Sequence, residues 1–184
     1  MTKILVCGAD GFMGRNITEY FLKQPNYEVF GTTYSNKEIP EDIGLSGYHL
    51  HSVDLTNQFD VVGLIGTIKP DIVIMAAANT SGARDIVSKP YIHVTESTVM
   101  NTWMLRAVYD FNVKHFLYLS CGIMYQPGDE PRKESDFNAN DEIYKTYFGA
   151  GWMKVFTEKQ CEFYSRLGRT KHTVIRHSNT FGPY

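Results

Sequence analysis

The sequence predicts an α/β fold, a doubly wound parallel sheet with helices on both faces. Two observations carry this expectation. Short apolar runs alternate with helical stretches along the whole chain, and three glycines stand between the first run and the first helix. Each element follows in turn. Lys3–Cys7 is apolar, β-rich and bounded by Gly8, so it reads as a buried strand. Phe12–Lys23 carries Phe12, Ile17, Tyr20 and Phe21 at helical spacing. Tyr27–Thr33 and Tyr48–Val53 read as the second and third strands. Asn57–Ile68 is a modest helix stopped by Pro70, and Asp71–Ala76 a strongly apolar fourth strand. Tyr91–Phe111 gives a long helix, His115–Leu119 a fifth strand, Asp141–Leu167 a second long helix and Thr173–Arg176 a last strand. The segment 126–140 is polar, with Pro127, Gly128 and Pro131. It is either a surface connection or a flap over a site. No internal repeat or linker divides residues 1–184, so one domain is expected.

Composition narrows the function. The 184 residues include 18 Lys+Arg against 20 Asp+Glu, a net charge of −2, with 43% hydrophobic residues. Disorder is excluded, and no basic surplus points to nucleic acid or an anionic membrane. The longest apolar run, Ile72 to Ala78, is far short of the ~20 residues of a membrane helix. The N-terminus has no long apolar segment of the signal-peptide kind, and Cys7, Cys121 and Cys161 are odd in number and widely spaced. Reduced thiols in a cytoplasmic protein are the simplest expectation. His49 and His51 share one strand face, but no cysteine or carboxylate cluster stands near them, so no metal is expected.

The glycine loop is Gly8-Ala9-Asp10-Gly11-Phe12-Met13-Gly14. One glycine permits a tight turn, one lets the backbone approach a pyrophosphate, and one lets the helix pack on the strand. The amides at the helix start, around Phe12 and Met13, then face the phosphates. Its position after the first strand favours a dinucleotide over a purely structural turn. NAD sites usually place an acid at the end of the second strand. Thr33 stands there, followed by Tyr34 and Ser35, with Lys37 close by and Arg15 just past the loop. With no carboxylate evident to repel a 2′-phosphate, NADP is expected ahead of NAD.

Four further segments, in order, make the chain resemble the extended short-chain dehydrogenase/reductases, the NAD(P)-dependent nucleotide-sugar epimerases and dehydratases. They are Val53-Asp54-Leu55-Thr56, Met75-Ala76-Ala77-Ala78, Leu119-Ser120-Cys121-Gly122-Ile123-Met124-Tyr125, and Arg176-His177-Ser178-Asn179-Thr180-Phe181-Gly182-Pro183. The resemblance implies a Rossmann fold in which Asp54, with Leu55, meets the adenine. It also implies that Ala76, Ala77 and Ala78 run alongside the cofactor and that Asn79, Cys121, Gly122 and Asn179 approach the sugar. GDP-fucose synthases and similar reductases or epimerases look nearest. Those synthases carry a Cys and a His where this chain has Ile123 and Tyr184, which speaks against their epimerisation route.

The family's chemistry uses a Tyr and a Lys four residues apart on one helix face, with a Ser or Thr after the fifth strand. The Lys holds the ribose and lowers the Tyr pKa, and the phenolate moves a sugar hydroxyl proton while hydride moves. Lys154 matches that Lys, but Ala150 stands where the Tyr belongs. Tyr147 lies one turn back, about 5.4 Å along the axis, too far to substitute fully. At the Ser/Thr position stands Cys121, a poor donor, with Ser120 beside it. The expected function is therefore an impaired nucleotide-sugar oxidoreductase, epimerase or dehydratase. The alternatives are a non-catalytic dinucleotide-binding module or a scaffold with an empty loop. The resemblance further implies a substrate domain past the Gly-Pro turn, of which a chain ending at Tyr184 holds little. It also implies a homodimer through the two long helices, using Val99, Trp103, Val108 and Phe111 with Trp152, Phe156 and Phe163.

Overall fold

The computed structural model describes residues 1–34, 48–79 and 83–183. Six strands form one all-parallel sheet: β1 (Thr2–Cys7), β2 (Tyr27–Thr33), β3 (Tyr48–Ser52), β4 (Ile72–Met75), β5 (His115–Cys121) and β6 (Lys171–His177). Their order is 3-2-1-4-5-6, the doubly wound arrangement that the alternating pattern predicts. The helices are α1 (Phe12–Leu22), α2 (Gln58–Ile68), α3 (Ala83–Ser88), α4 (Tyr91–Asp110) and α5 (Phe148–Arg166).

Burial on both faces explains the unbroken apolar character of β1, where Ile4, Leu5, Val6 and Cys7 are all fully buried. Strand alternation sorts its neighbours into two layers. Leu5, Phe30, Val73, Met75, Phe116 and Tyr118 pack with the buried sides of α2, α4 and α5. Ile4, Val29 and Ile74 pack instead on Ile17, Phe21 and Leu22 of α1. Each fully buried aliphatic side chain contributes about 1.5–3 kcal/mol, so this double layer is the main source of stability.

Local punctuation matches the sequence at α2. Asn57 accepts a hydrogen bond from the Phe59 amide at 2.9 Å, and Lys69 ends the helix in the left-handed region, φ 51°, just before Pro70. Elsewhere the structure corrects the reading. The short helix α3 was not expected. The last long helix begins at Phe148 rather than Asp141, after a 3₁₀ turn over Lys145–Tyr147. Ile143 is buried against Gly151, which fixes the incoming chain across the helix instead of along it. The polar segment 126–140 is tied down where its Glu134 carbonyl accepts from Arg176 at 3.2 Å. Val108, expected on an outer face, is fully buried in the core, while Trp103 packs against that same core. No described helix is long and apolar enough to cross a membrane.

Asp71 stitches the lower ends of three strands. Its carboxylate accepts from the Lys3 amide at 2.9 Å and pairs with Lys114 at 2.7 Å. Its own amide donates to the Lys3 carbonyl, and its carbonyl accepts from the His115 amide. The Lys114 hydrogen bond, then the Lys3 amide, hold its pKa below the ordinary carboxylate value. Lys114 is largely solvated, so screening keeps the ion pair weak. Asp71→Ala is expected to cost about 1–2 kcal/mol in urea unfolding, mostly from the orphaned amide. A depressed folded pKa means this contribution is full above the carboxylate range and vanishes as pH falls through it. The gap between the two proteins' urea midpoints should therefore narrow in acid, leaving the part that a neutral carboxyl still supplies to the Lys3 amide.

Candidate functional site

The glycine loop lies at the C-terminal edge of β1, where the strand order reverses between β1 and β4. A crevice for a ligand opens at such a point. Two of its glycines are dictated by backbone packing. Gly8 has φ +74°, and a Cβ there would lie 2.8 Å from the Ala77 Cα on the turn after β4. A Cβ on Gly14 would lie 1.9 Å from the Gly8 carbonyl oxygen. Gly11 differs: it is exposed, and the one neighbour of its missing Cβ is the Gly8 oxygen at 3.4 Å. Its outer face is therefore open to a ligand backbone or phosphate. Gly11 also begins α1 without any side-chain cap, and the first helical bond runs from the Arg15 amide to its carbonyl. The amides of Phe12, Met13 and Gly14 thus lie at a positive helix end with no intrahelical acceptor. Such a terminus with a flat glycine approach fits a pyrophosphate.

The other proposed cofactor residues come from the end of β2 and from the segments that follow β2, β3 and β4. Thr33, at the end of β2, is buried and donates its hydroxyl to the Asp10 carboxylate at 2.7 Å. Tyr34 beyond it is 80% exposed. Ser35 and Lys37 lie outside the described residues. Asp54, after β3, is fixed by its own turn, accepting from the Thr56 amide at 2.9 Å and hydroxyl at 2.6 Å through one oxygen. The Leu55 side chain is buried in the core, so only its main chain can meet a ligand. Ala76 hydrogen-bonds back to the Cys7 carbonyl at 3.1 Å, Ala77 touches Gly8, and Ala78 is exposed. Asn79 is held by α4: its amide donates to Ser97 at 3.2 Å and its carbonyl lies 3.1 Å from His93 Nδ1. Asn179 is exposed on the closing turn, where Gly182 rests beside the Phe12 ring and Asn16 donates to the Pro183 carbonyl at 3.2 Å.

At the end of β5 the structure separates two neighbours. Ser120 is fully buried and gives its hydroxyl to Glu158 at 2.5 Å. Arg176 grips the same carboxylate with three hydrogen bonds of 2.7–3.1 Å and donates to the Tyr125 hydroxyl at 2.8 Å. Glu158 keeps this guanidinium firmly charged. Strand alternation thus turns Ser120, the neighbour of the Ser/Thr position, into the α5 interface, where its hydroxyl is engaged by Glu158. Cys121 takes the opposite side of the strand, half-buried, and starts the 3₁₀ turn Gly122–Met124. Lys154 donates to the Leu119 carbonyl at 2.9 Å and lies 4.8 Å from the Tyr118 ring centre. Burial lowers its pKa, against opposing pulls from Cys121 and Glu158. Lys154 and Cys121 thus share one site. Ala150, one turn earlier on α5, brings no polar atom there. Tyr147 is packed against the cluster of Met124, Ile143 and Val155. Sequence reasoning missed Asp10, although its place directly before Gly11 marked it, and missed the Glu158–Arg176 pair, whose partners are distant in sequence.

A glycine loop at the switch point of a 3-2-1-4-5-6 sheet defines a Rossmann-type domain. The chain belongs to the NAD dependent epimerase/dehydratase family, whose model matches residues 4–184. It is 26% identical over 190 residues to protein CapI of Staphylococcus aureus, across 99% of this chain and 55% of that one. Among solved structures, UDP-glucose 4-epimerase from Thermotoga maritima with UDP-glucose superposes with a TM-score of 0.82. Its identity is 21%, over 99% of this chain and 57% of its own. GDP-mannoheptose C4 reductase from Campylobacter jejuni with NADP bound gives 0.77 at 20% identity, over 97% and 51%. The chain spans about half the length of these relatives.

The loop geometry divides the glycines by role. Gly14→Ala is expected to lower stability by about 3 kcal/mol, because the clash is with backbone that cannot rotate away. Gly11→Ala should cost less than about 1 kcal/mol. It should nevertheless weaken dinucleotide binding about tenfold or more, as measured by calorimetric titration beside urea unfolding.

Proposed function

We propose that the chain forms the dinucleotide-binding part of a nucleotide-sugar epimerase, dehydratase or reductase of the cytoplasm, with its proton-transfer group missing. The observation that carries the reading is the loop itself: Gly8 and Gly14 are required by packing, while Gly11 leaves an open, amide-lined face. The proposed cofactor contacts are the amides of Phe12, Met13 and Gly14 for the pyrophosphate and the Asp54 carboxylate for the adenine amino group. The turn of Ala76–Ala78 flanks the nicotinamide side. The dinucleotide supplies hydride donation or acceptance when bound.

This chain's own residues position what hydride transfer needs. Lys154 has three donors and spends one on Leu119, leaving others for a ribose hydroxyl. Asn79, Cys121 and Asn179 are proposed to face the sugar. No phenol stands at 150 to take the hydroxyl proton, and the Tyr147 ring packs against Met124, Ile143 and Val155. That same alanine favours a second reading, a binding module that never turned over. The NADP preference is weakened, because the Arg15 Nε pairs with the Glu19 carboxylate at 3.3 Å.

Ala150→Tyr, in a chain extended by a relative's substrate domain, is expected to raise nucleotide-sugar turnover ~10²–10⁴-fold with cofactor Kd little changed. Tyr147→Phe should leave residual turnover intact. If Tyr147→Phe abolishes it and Ala150→Tyr gains nothing, Tyr147 is the base. If neither changes turnover, the binding-module reading stands instead.

We also propose a homodimer through α4 and α5. Phe148, Phe156 and Phe163 of α5 are 54%, 51% and 57% exposed and recur along the helix. An obligate interface buries ~2,000 Å² or more. Light scattering at tens of micromolar should report twice the 21.0 kDa chain mass, and Phe156→Glu should return the monomer.

A further inference from the structure

We propose that Asp10, inside the glycine loop, replaces the missing acid at the end of β2 and makes the cofactor site select NAD against NADP. The inference rests on the dinucleotide reading above and deepens it.

Thr33 occupies the place where an acidic side chain would meet the adenosine ribose. The fold brings a carboxylate to that place from another turn. Thr33 is 3% exposed, and its hydroxyl donates to Asp10 Oδ2 at 2.7 Å. The turn holding Asp10 is itself fixed, since the Ala9 amide donates to the Thr32 carbonyl at 2.8 Å and the Gly8 amide to the Thr32 hydroxyl at 3.1 Å. Asp10 therefore sits at the ribose end of the loop by two independent ties between β1 and β2. Its charge is felt as far as Tyr48, whose phenol is pushed up to about 12, mainly by burial with Asp10 adding to the shift.

A carboxylate accepts up to about four hydrogen bonds, so it can take ribose hydroxyls beside Thr33. Bonds to an ionised acceptor are among the stronger ones. A 2′-phosphate brings negative charge to the same point and is repelled. Arg15, just past the loop, is paired through Nε with the Glu19 carboxylate at 3.3 Å and so is partly neutralised. Asp10 is exposed, and solvent screening limits the discrimination to roughly ten- to hundredfold.

The test is calorimetric titration of the whole chain with NAD and with NADP, at low and at high salt, for the wild type and Asp10→Asn. The amide keeps an acceptor for Thr33, and thermal unfolding of both proteins checks that the loop is retained. The wild type should bind NAD at least about tenfold more tightly, with the ratio shrinking in salt. Asp10→Asn should bring the ratio within about threefold, chiefly by gaining NADP affinity. Binding of both cofactors with a ratio indifferent to Asp10, or a wild type that prefers NADP, overturns the assignment and leaves the cofactor site standing. Failure of either protein to bind either dinucleotide overturns the cofactor site and the assignment with it.

Discussion

Two backbone segments close on Gly8, and neither contact has room for a Cβ. The turn after β4 presses on its Cα side, and the first turn of α1 lies against its carbonyl oxygen through Gly14. Its own positive φ sends the chain from the sheet into the helix. A positive φ costs a non-glycine residue free energy, and a Cβ at either contact would have to displace main chain. Everything proposed about ligand binding depends on this meeting. It fixes where the amides of α1 point and how near the turn of Ala76–Ala78 comes to them. It also fixes that Asp10 reaches Thr33.

The second organising contact is polar. Glu158 on α5 joins Ser120 on β5 to Arg176 on β6, and Arg176 reaches on to Tyr125 and the Glu134 carbonyl. Burying such a pair carries a desolvation cost that good geometry only offsets, so the cluster is weak evidence for stability in itself. Its value is in specifying position. It fixes the rotation of α5 about its axis, and that rotation decides that Lys154 arrives beside the end of β5.

Most of the fold was legible because a strand buried on both faces has one simple signature, an unbroken apolar run. The runs at Lys3–Cys7 and Asp71–Ala76 read correctly for that reason. Helix α3 was missed because six residues hold too little periodicity to register. The start of α5 was misplaced because Ile143, Tyr144 and Tyr147 fall at helical spacing while the chain in fact crosses the helix end. In the site, the glycine loop could be read from its spacing together with its place after the first strand. Ser120 and Cys121 could not be told apart, since which side of β5 each takes depends on the sheet's register. Asp10 escaped notice because its partner is twenty-three residues away and meets it only once β1 and β2 have paired.

Alternation along β5 has a consequence for substitution. Ser120 answers to the interior, where Glu158 holds it, while Cys121 lies half-buried on the other side of the strand. Adjacent positions on one strand are thus under separate physical constraints. A change at Cys121 leaves the helix–sheet joint untouched, whereas a change at Ser120 removes the hydroxyl that Glu158 holds. The same holds on α5, where Ala150 leads to no buried polar partner while Glu158, eight residues on, anchors the helix. Single substitutions at such positions can therefore change the side chains on display while the architecture that displays them persists.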